Sequence, residues 1–307
     1  MAVAQPTPPS SSSYINTLPP VSKSLMSRRK GANKLMWALC ILSTALAIIP
    51  LLLVLYYVTI QGIKVINLDF FTQVQKSMGE TGGGMMHAIL GTMMMVGIAS
   101  CIGLPIGIMG GIFLSEFGNN RLAFYFRFAA DVLNGIPSIV IGVFVYAVAV
   151  LPVSKVTNGN VSFSAWAGGL ALGIMMIPTV MRTTEEIIKL VPSSLREGAL
   201  ALGDTRWHST FKIVLGAARG GVITGILLAI ARISGETAPL LFTALGNNFL
   251  NRNPNQPTAS LPVTIYTFAT SADDGWNALA WGGAFVLVAM ILALSIAARY
   301  ATRGKES

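Results

Sequence analysis

Long apolar runs separated by short polar and charged stretches dominate this chain. About twenty consecutive apolar residues let a helix cross a bilayer. Six stretches qualify: Leu35–Ile60, Met86–Leu114, Phe128–Leu151, Ala165–Met181, Gly220–Gly246 and Trp276–Ala298, the fourth being the shortest. None alternates polar with apolar residues, so the pattern predicts helices and argues against membrane strands. Two runs carry helix-unfriendly residues, Gly103-Leu-Pro105-Ile-Gly107 in the second and Asn134-Gly135-Ile-Pro137-Ser138 in the third. Proline removes a backbone donor and frees carbonyls, which in lipid need a protein partner or a water-filled path. Pro105 is expected to be a packing kink.

Polar residues inside the runs fall into stripes. In the third run Asp131, Gly135, Ser138, Gly142 and Tyr146 share one helical face at ~100° per residue. In the fifth, Gly221, Gly225, Ala229, Arg232, Glu236, Pro239 and Thr243 do the same, while the other faces are Leu, Ile, Val and Ala. Small and polar stripes face other helices or a pathway, away from lipid. An arginine at mid-span costs on the order of 3 kcal/mol on insertion scales. Glu236, one turn later, is placed to pair with Arg232 and lower that cost. Two readings stand side by side: a pair that locks helices together, or a gate for a charged substrate.

Composition sharpens the class. Hydrophobic residues make up 53% of 307 positions and charged residues 11%, with a mean hydropathy of +0.66. That is an all-α membrane protein, too apolar for one soluble domain. The 21 Lys and Arg then orient it. With both termini in the cytoplasm, only Lys64, Lys76, Lys155 and Arg252 lie on the far side, and Arg232 lies within a span. The rest flank the cytoplasmic ends, as the positive-inside rule asks. The net charge of +9 is thus a topology signal; its spread over membrane flanks is a poor fit to nucleic acid. Residues 1–33 form a Pro/Ser-rich segment expected to be a disordered cytoplasmic tail, too polar for a signal peptide. Residues 301–307 form a second short tail. Cys40 and Cys101 fall inside spans and are expected to pack there, not to form a disulfide.

Between the fourth and fifth runs, residues 185–218 have their own logic. Pro192 and the serines after it suit a helix start, and Glu197 complements the N-terminal dipole. Gly203 ends that helix, and Asp204 or Thr205 caps a second one running to Leu215. The product is a pair of short amphipathic helices joined at a glycine bend, a shape suited to docking.

That segment resembles the coupling loop of binding-protein-dependent ABC importer permeases. The family pattern is Glu-Ala-Ala, three residues, Gly, nine residues, Ile-x-Leu-Pro. Here it is Glu197, Gly198, Ala199, Gly203, Ile213 and Leu215, with departures at Gly198 and at Gly216 in place of the final proline. Arg232-Ile-Ser-Gly-Glu236-Thr237-Ala-Pro-Leu-Leu-Phe-Thr243 is similar to the phosphate permease branch (PstA type). So are Gly135–Gly142, Ile177–Glu185 and Gly91-Thr92.

The resemblance covers about residues 34–300. It implies a type I importer permease domain and a docking role for the loop. It further implies a second, related permease subunit, an ATPase dimer and an extracytoplasmic phosphate-binding protein as partners, in a bacterial inner membrane. ATP with magnesium would belong to the partner ATPase, and this chain would bind no cofactor. Arg232, Arg182, Ser138 and Thr237 supply donors suited to phosphate, with Glu236 beside them. Arg182 has a rival role as an interfacial anchor.

The chain has no Gly-x-x-x-x-Gly-Lys-Ser/Thr phosphate loop, so ATP hydrolysis is not expected of it. His87 and His208 stand alone, and no Cys/His/carboxylate cluster has metal spacing. A secondary transporter would show inverted repeats, which are not evident here. A purely structural membrane subunit would leave the charged stripe unexplained.

Overall fold

The structure, a computed structural model, describes residues 23–80, 82–118, 120–159 and 162–303. The helices are α1 (Lys23–Ile63), α2 (Leu68–Thr72), α3 (Met86–Glu116), α4 (Arg121–Gly135), α5 (Ser138–Val156), α6 (Ala165–Lys189), α7 (Ser193–Ala201), α8 (Arg206–Ser234), α9 (Ala238–Thr243), α10 (Leu261–Ala269) and α11 (Asp274–Arg303). Six of them, α1, α3, α5, α6, α8 and α11, are long and apolar enough to cross a membrane. No strand occurs among the described residues beyond one bridge between Leu245 and Thr258.

Contacts divide the chain into two units, one ending at Tyr57 and one beginning at Val58. In the first, α1 is already helical from Lys23. The tail expected over 1–33 therefore gives way to helix over its last part, and residues 1–22 lie outside those described. The second tail is likewise cut short, since α11 continues to Arg303.

The second unit is built around α3 and α6. Gly103, Gly107 and Gly111 recur every fourth residue on α3 and meet Met176, Val180 and Thr184, which recur every fourth residue on α6. A Cβ at Gly107 would stand 2.7 Å from Val180 Cβ, and one at Gly111 would stand 2.6 Å from Thr184 Cβ. Without a hydrophobic drive between helices in lipid, such close backbone approach supplies the packing energy. The helix runs through Pro105 uninterrupted, so the sequence around it is a packing motif. Cys40 and Cys101 are both exposed, free thiols; the packing expected of them is not made within this chain.

Next, α8 lies along α6. Gly221 meets Ile187 and Gly225 meets Thr183, and two turns further along α8 Arg232 reaches Thr179. The small stripe of the fifth run thus faces a helix, as expected. A core of Met95, Leu172, Met176, Val180, Ile233 and Leu240 fills the space between α3, α6, α8 and α9.

Two predicted spans end differently. The third does not run from Phe128: α4 stops at Gly135, and α5 begins at Ser138 after the extended residues Ile136 and Pro137. Pro137 has no N–H to continue the ladder, and its predecessor is pushed to extended backbone. The fifth stops at Ser234, and Ala238–Thr243 is a separate helix with Pro239 in its first turn. The bonds from Gly235 N to Arg232 O (3.2 Å) and from Glu236 N to Ile233 O (3.3 Å) tighten the end of α8.

Candidate functional site

Both helix breaks open onto the same cleft. It has a volume of about 120 Å³ and is lined by Asn134 and Ile136 from the α4–α5 break, Ser138 at the start of α5, Met175 of α6, Arg232 near the end of α8 and Glu236 beyond it. The first turn of α5 carries N–H groups that the helix itself cannot pair, and its dipole places positive character at the cleft. Its N-cap is Pro137, which supplies no side-chain bond.

Arg232 is exposed, and its one hydrogen bond among the described residues is to Thr179 Oγ1, at 3.5 Å, a long contact that leaves most of its N–H groups free. Thr179 in turn donates to Asn134 Oδ1, also at 3.5 Å. A polar line thus runs from α4 through α6 to α8.

The ion pair expected between Arg232 and Glu236 does not form among the described residues. The helix ends between them, so the one-turn spacing that would have stacked their side chains does not exist. The same break removes Pro239 and Thr243 from the Arg232 stripe. Pro239 packs instead on α5, where a Cβ at Gly142 would stand 2.6 Å from Pro239 Cα. Thr237 caps α9 without a side-chain bond and lies outside the cleft lining.

Arg182 is elsewhere and fully engaged. Its Nε donates to Asp131 Oδ1 (2.9 Å), its Nη2 to Asp131 Oδ2 and its Nη1 to Glu185 Oε2 (3.1 Å). A guanidinium held by two carboxylates has little left to offer a phosphate. Glu185, whose side chain is 1% exposed, also accepts from Arg127 Nε (2.6 Å) and Lys189 Nζ (2.6 Å). Arg127 donates further to the carbonyls of Leu114 (2.8 Å) and Gly118 (3.0 Å). The cluster ties α4 to the end of α6 and caps the last turn of α3. Of the stripe in the third run, Asp131 thus belongs to this cluster and Ser138 to the cleft.

The segment after α6 folds as the glycine bend foretold. Helix α7 ends in paired bonds from Gly203 N to Leu200 O (3.0 Å) and from Asp204 N to Ala199 O (3.1 Å), with Gly203 at φ +84°. That double bond is the Schellman arrangement, and its left-handed residue favours glycine. Thr205 caps the next helix by accepting from His208 N (3.3 Å). The hydrogen bond to His208 holds the Asp204 carboxyl below the usual carboxylate range.

The second helix does not stop at Leu215. A π-helical turn over Ser209–Val214 merges it into α8, so one rod joins the bend to the cleft. Glu197, Gly198 and Gly203 are exposed, Ala199 is buried, and Ile213 and Leu215 are half-buried. Arg196 anchors the segment from below, donating to Glu116 Oε1 (3.0 Å) and to the carbonyls of Val191 (2.8 Å) and Ile188 (3.0 Å).

Sequence reasoning missed Asn134 as a cleft residue, Thr179 as the link between Asn134 and Arg232, and Arg127, Glu185 and Arg196 as anchors. Arg182, Glu185 and Lys189 do show helical spacing, and so do Arg127 and Asp131. The pairing across helices left no such mark.

The family model for "Binding-protein-dependent transport system inner membrane component" matches residues 103–306. A phosphate transport system permease protein PstA of Haemophilus influenzae is 45% identical over 272 residues, covering 88% of this chain and 94% of the relative. Its namesake in Pasteurella multocida is 44% identical over the same share. A probable phosphate transport system permease protein PstA of Methanocaldococcus jannaschii is 36% identical over 85% of this chain and 90% of that one.

Among solved structures, a bacterial ABC transporter that imports the acidic polysaccharide alginate aligns with a TM-score of 0.58 at 15% identity, over 92% of this chain and 99% of that one. An inward-facing methionine ABC transporter aligns with a TM-score of 0.52 at 20% identity, over 72% and 93%. Those likenesses establish an ABC importer permease fold. The chain belongs to the family of binding-protein-dependent transport system inner membrane components, as a multi-pass permease subunit.

Proposed function

We propose that this chain is a transmembrane subunit of an ATP-driven phosphate importer and forms part of the phosphate path. The observation that carries the reading is the cleft at the two helix breaks, where Arg232 is left with free donors beside Ser138 and the start of α5. Irregular backbone at membrane depth is tolerated where it lines such a cavity. Half-helix N-termini aimed at anionic groups recur in transport sites. A single weakly held arginine suits a path, because several would trap the ion. The relatives named as phosphate permeases point to the same substrate. A different oxyanion, or a secondary transporter or channel, is the alternative these relatives argue against.

The exposed bend at Glu197, Gly198 and Gly203 is the surface offered to a partner ATPase, which holds ATP and magnesium. Ala199, Ile213 and Leu215 seat that bend in the membrane domain. The remaining partners are a second, related permease subunit and an extracytoplasmic phosphate-binding protein. Cytoplasmic termini follow from the flanking basic residues. Phosphate uptake by the assembled complex in proteoliposomes tests the reading. Arg232→Gln is expected to lower uptake about tenfold or more, the worth of one charge-assisted hydrogen bond. Wild-type uptake by that variant would refute it.

A further inference from the structure

We infer that Glu236 is the selectivity residue of the cleft: its carboxylate accepts the hydrogen that phosphate retains on oxygen, and so admits protonated oxyanions and rejects sulfate. The inference rests on the phosphate reading above and adds a role for a group that reading leaves unexplained. A carboxylate in an anion path is otherwise a liability. It lines the same cleft as Arg232, yet no ion pair joins the two among the described residues. Its charge is therefore not used up in neutralising the arginine.

An ionised carboxylate only accepts hydrogen bonds, whereas a guanidinium only donates them. Arg232 and Glu236 thus present opposite demands to one ligand. A tetrahedral oxyanion satisfies both only if it has bare oxygens on one side and an O–H on the other. Phosphate and arsenate each keep at least one proton at neutral pH, and sulfate keeps none. For sulfate, the Glu236 side of the cleft is carboxylate against bare oxygen, a repulsion with no hydrogen to bridge it. A site that discriminates by hydrogen bonding to a substrate O–H rejects the analogue lacking it, because its own polar group is left unpaired. Ser138, able to donate or accept, adds affinity without choosing between the anions.

The test is equilibrium binding of radiolabelled phosphate to the two permease subunits with their ATPase in nanodiscs. The phosphate-binding protein is withheld so that its own preference does not enter. Arsenate and sulfate serve as competitors, and assembly is checked by co-elution. In the wild type, arsenate is expected to displace phosphate and a tenfold excess of sulfate to leave it bound. Glu236→Gln should reduce the preference for phosphate over sulfate about tenfold or more, and Glu236→Asp should keep it. Arg232→Gln should weaken both anions together and leave their ratio unchanged, which separates choosing from holding. Should Glu236→Gln not assemble, Glu236→Ser removes the same carboxylate. A phosphate-to-sulfate ratio that stays at the wild-type value in the Gln or Ser variant, with phosphate still bound, overturns the role of Glu236 alone. No phosphate binding by the wild type, or undiminished binding by Arg232→Gln, overturns the cleft reading and this inference with it.

Discussion

Two groups of charges lie along α6, and they are organised in opposite ways. At its end, Arg127, Arg182 and Lys189 converge on Glu185, and Asp131 takes the other side of Arg182. Further back, beside Thr179, Arg232 and Glu236 share a cleft without pairing. The first group is satisfied by its own chain and leaves a foreign anion little to bind. The second keeps its donors and acceptors open at a place where two helices have been interrupted to make room. Residue type does not tell them apart, since both combine arginine with glutamate. What separates them is whether the backbone brings a partner within reach.

The largest effect should come from breaking the satisfied group. Glu185→Ala leaves three cations around an empty position. Removing one partner from a buried pair typically costs about 3 kcal/mol or more, and the partial exposure of the cations reduces that. A clear fall in the thermal midpoint of the assembled complex is expected, with loss of the tie between α4 and α6. Arg232→Gln should leave that midpoint where it was, because Arg232 supports little besides a long contact. Equal midpoints for wild type and Glu185→Ala would erase the distinction between the two groups.

A smaller effect is expected at the rim of the same cluster. Asp131 is 56% exposed, and pairs in that setting contribute roughly 0–1 kcal/mol. Asp131→Asn should therefore shift the midpoint far less than Glu185→Ala. It should also free one side of Arg182 without creating a second phosphate site, since Glu185 still holds the guanidinium. Tighter phosphate binding by Asp131→Asn would show that Arg182 belongs to the path after all.

Much of this was legible in the sequence, and the failures share a cause. Apolar windows placed every span, because lipid demands them whatever the tertiary fold. They could not place the break at Ile136 and Pro137, although the helix-unfriendly residues there were apparent, nor the one at Gly235 to Thr237, since windowed hydropathy stays high across both. The Arg232–Glu236 pair failed for the same reason: helical spacing was applied past the end of a helix. The end of α6 shows the converse. Hydropathy falls after Met181, yet the helix continues to Lys189 because Glu185 neutralises the charges that lower it. The bend at Gly203 was readable to the residue, because its Schellman bonds are local. Contacts such as Arg127 to Glu185 or Arg196 to Glu116 depend on packing between distant segments, and one sequence carries no sign of them.

The smallest effect concerns a carboxylate in a third setting, outside the spans and held by backbone alone. Asp273 accepts from Trp276 N (2.8 Å) at the start of α11 and from Gly79 N (2.9 Å) in the loop before α3. These N–H donors, Trp276 first, hold its carboxyl below the ordinary value of 3.8. A depressed acid contributes stability that is fully present above its unfolded pKa and is lost as pH falls through the folded one. The tie between the two loops should therefore be intact at neutral pH and weaken only below about 3.8. Hydrogen exchange at the Gly79 and Trp276 amides, followed from pH 6 downward and corrected for intrinsic rates, reads it directly. In Asp273→Asn the side-chain oxygen still accepts but no longer titrates, so the acid-induced loosening of those amides should vanish. An unchanged pH profile in that variant would assign the loosening to another group and leave Asp273 a cap without a titration.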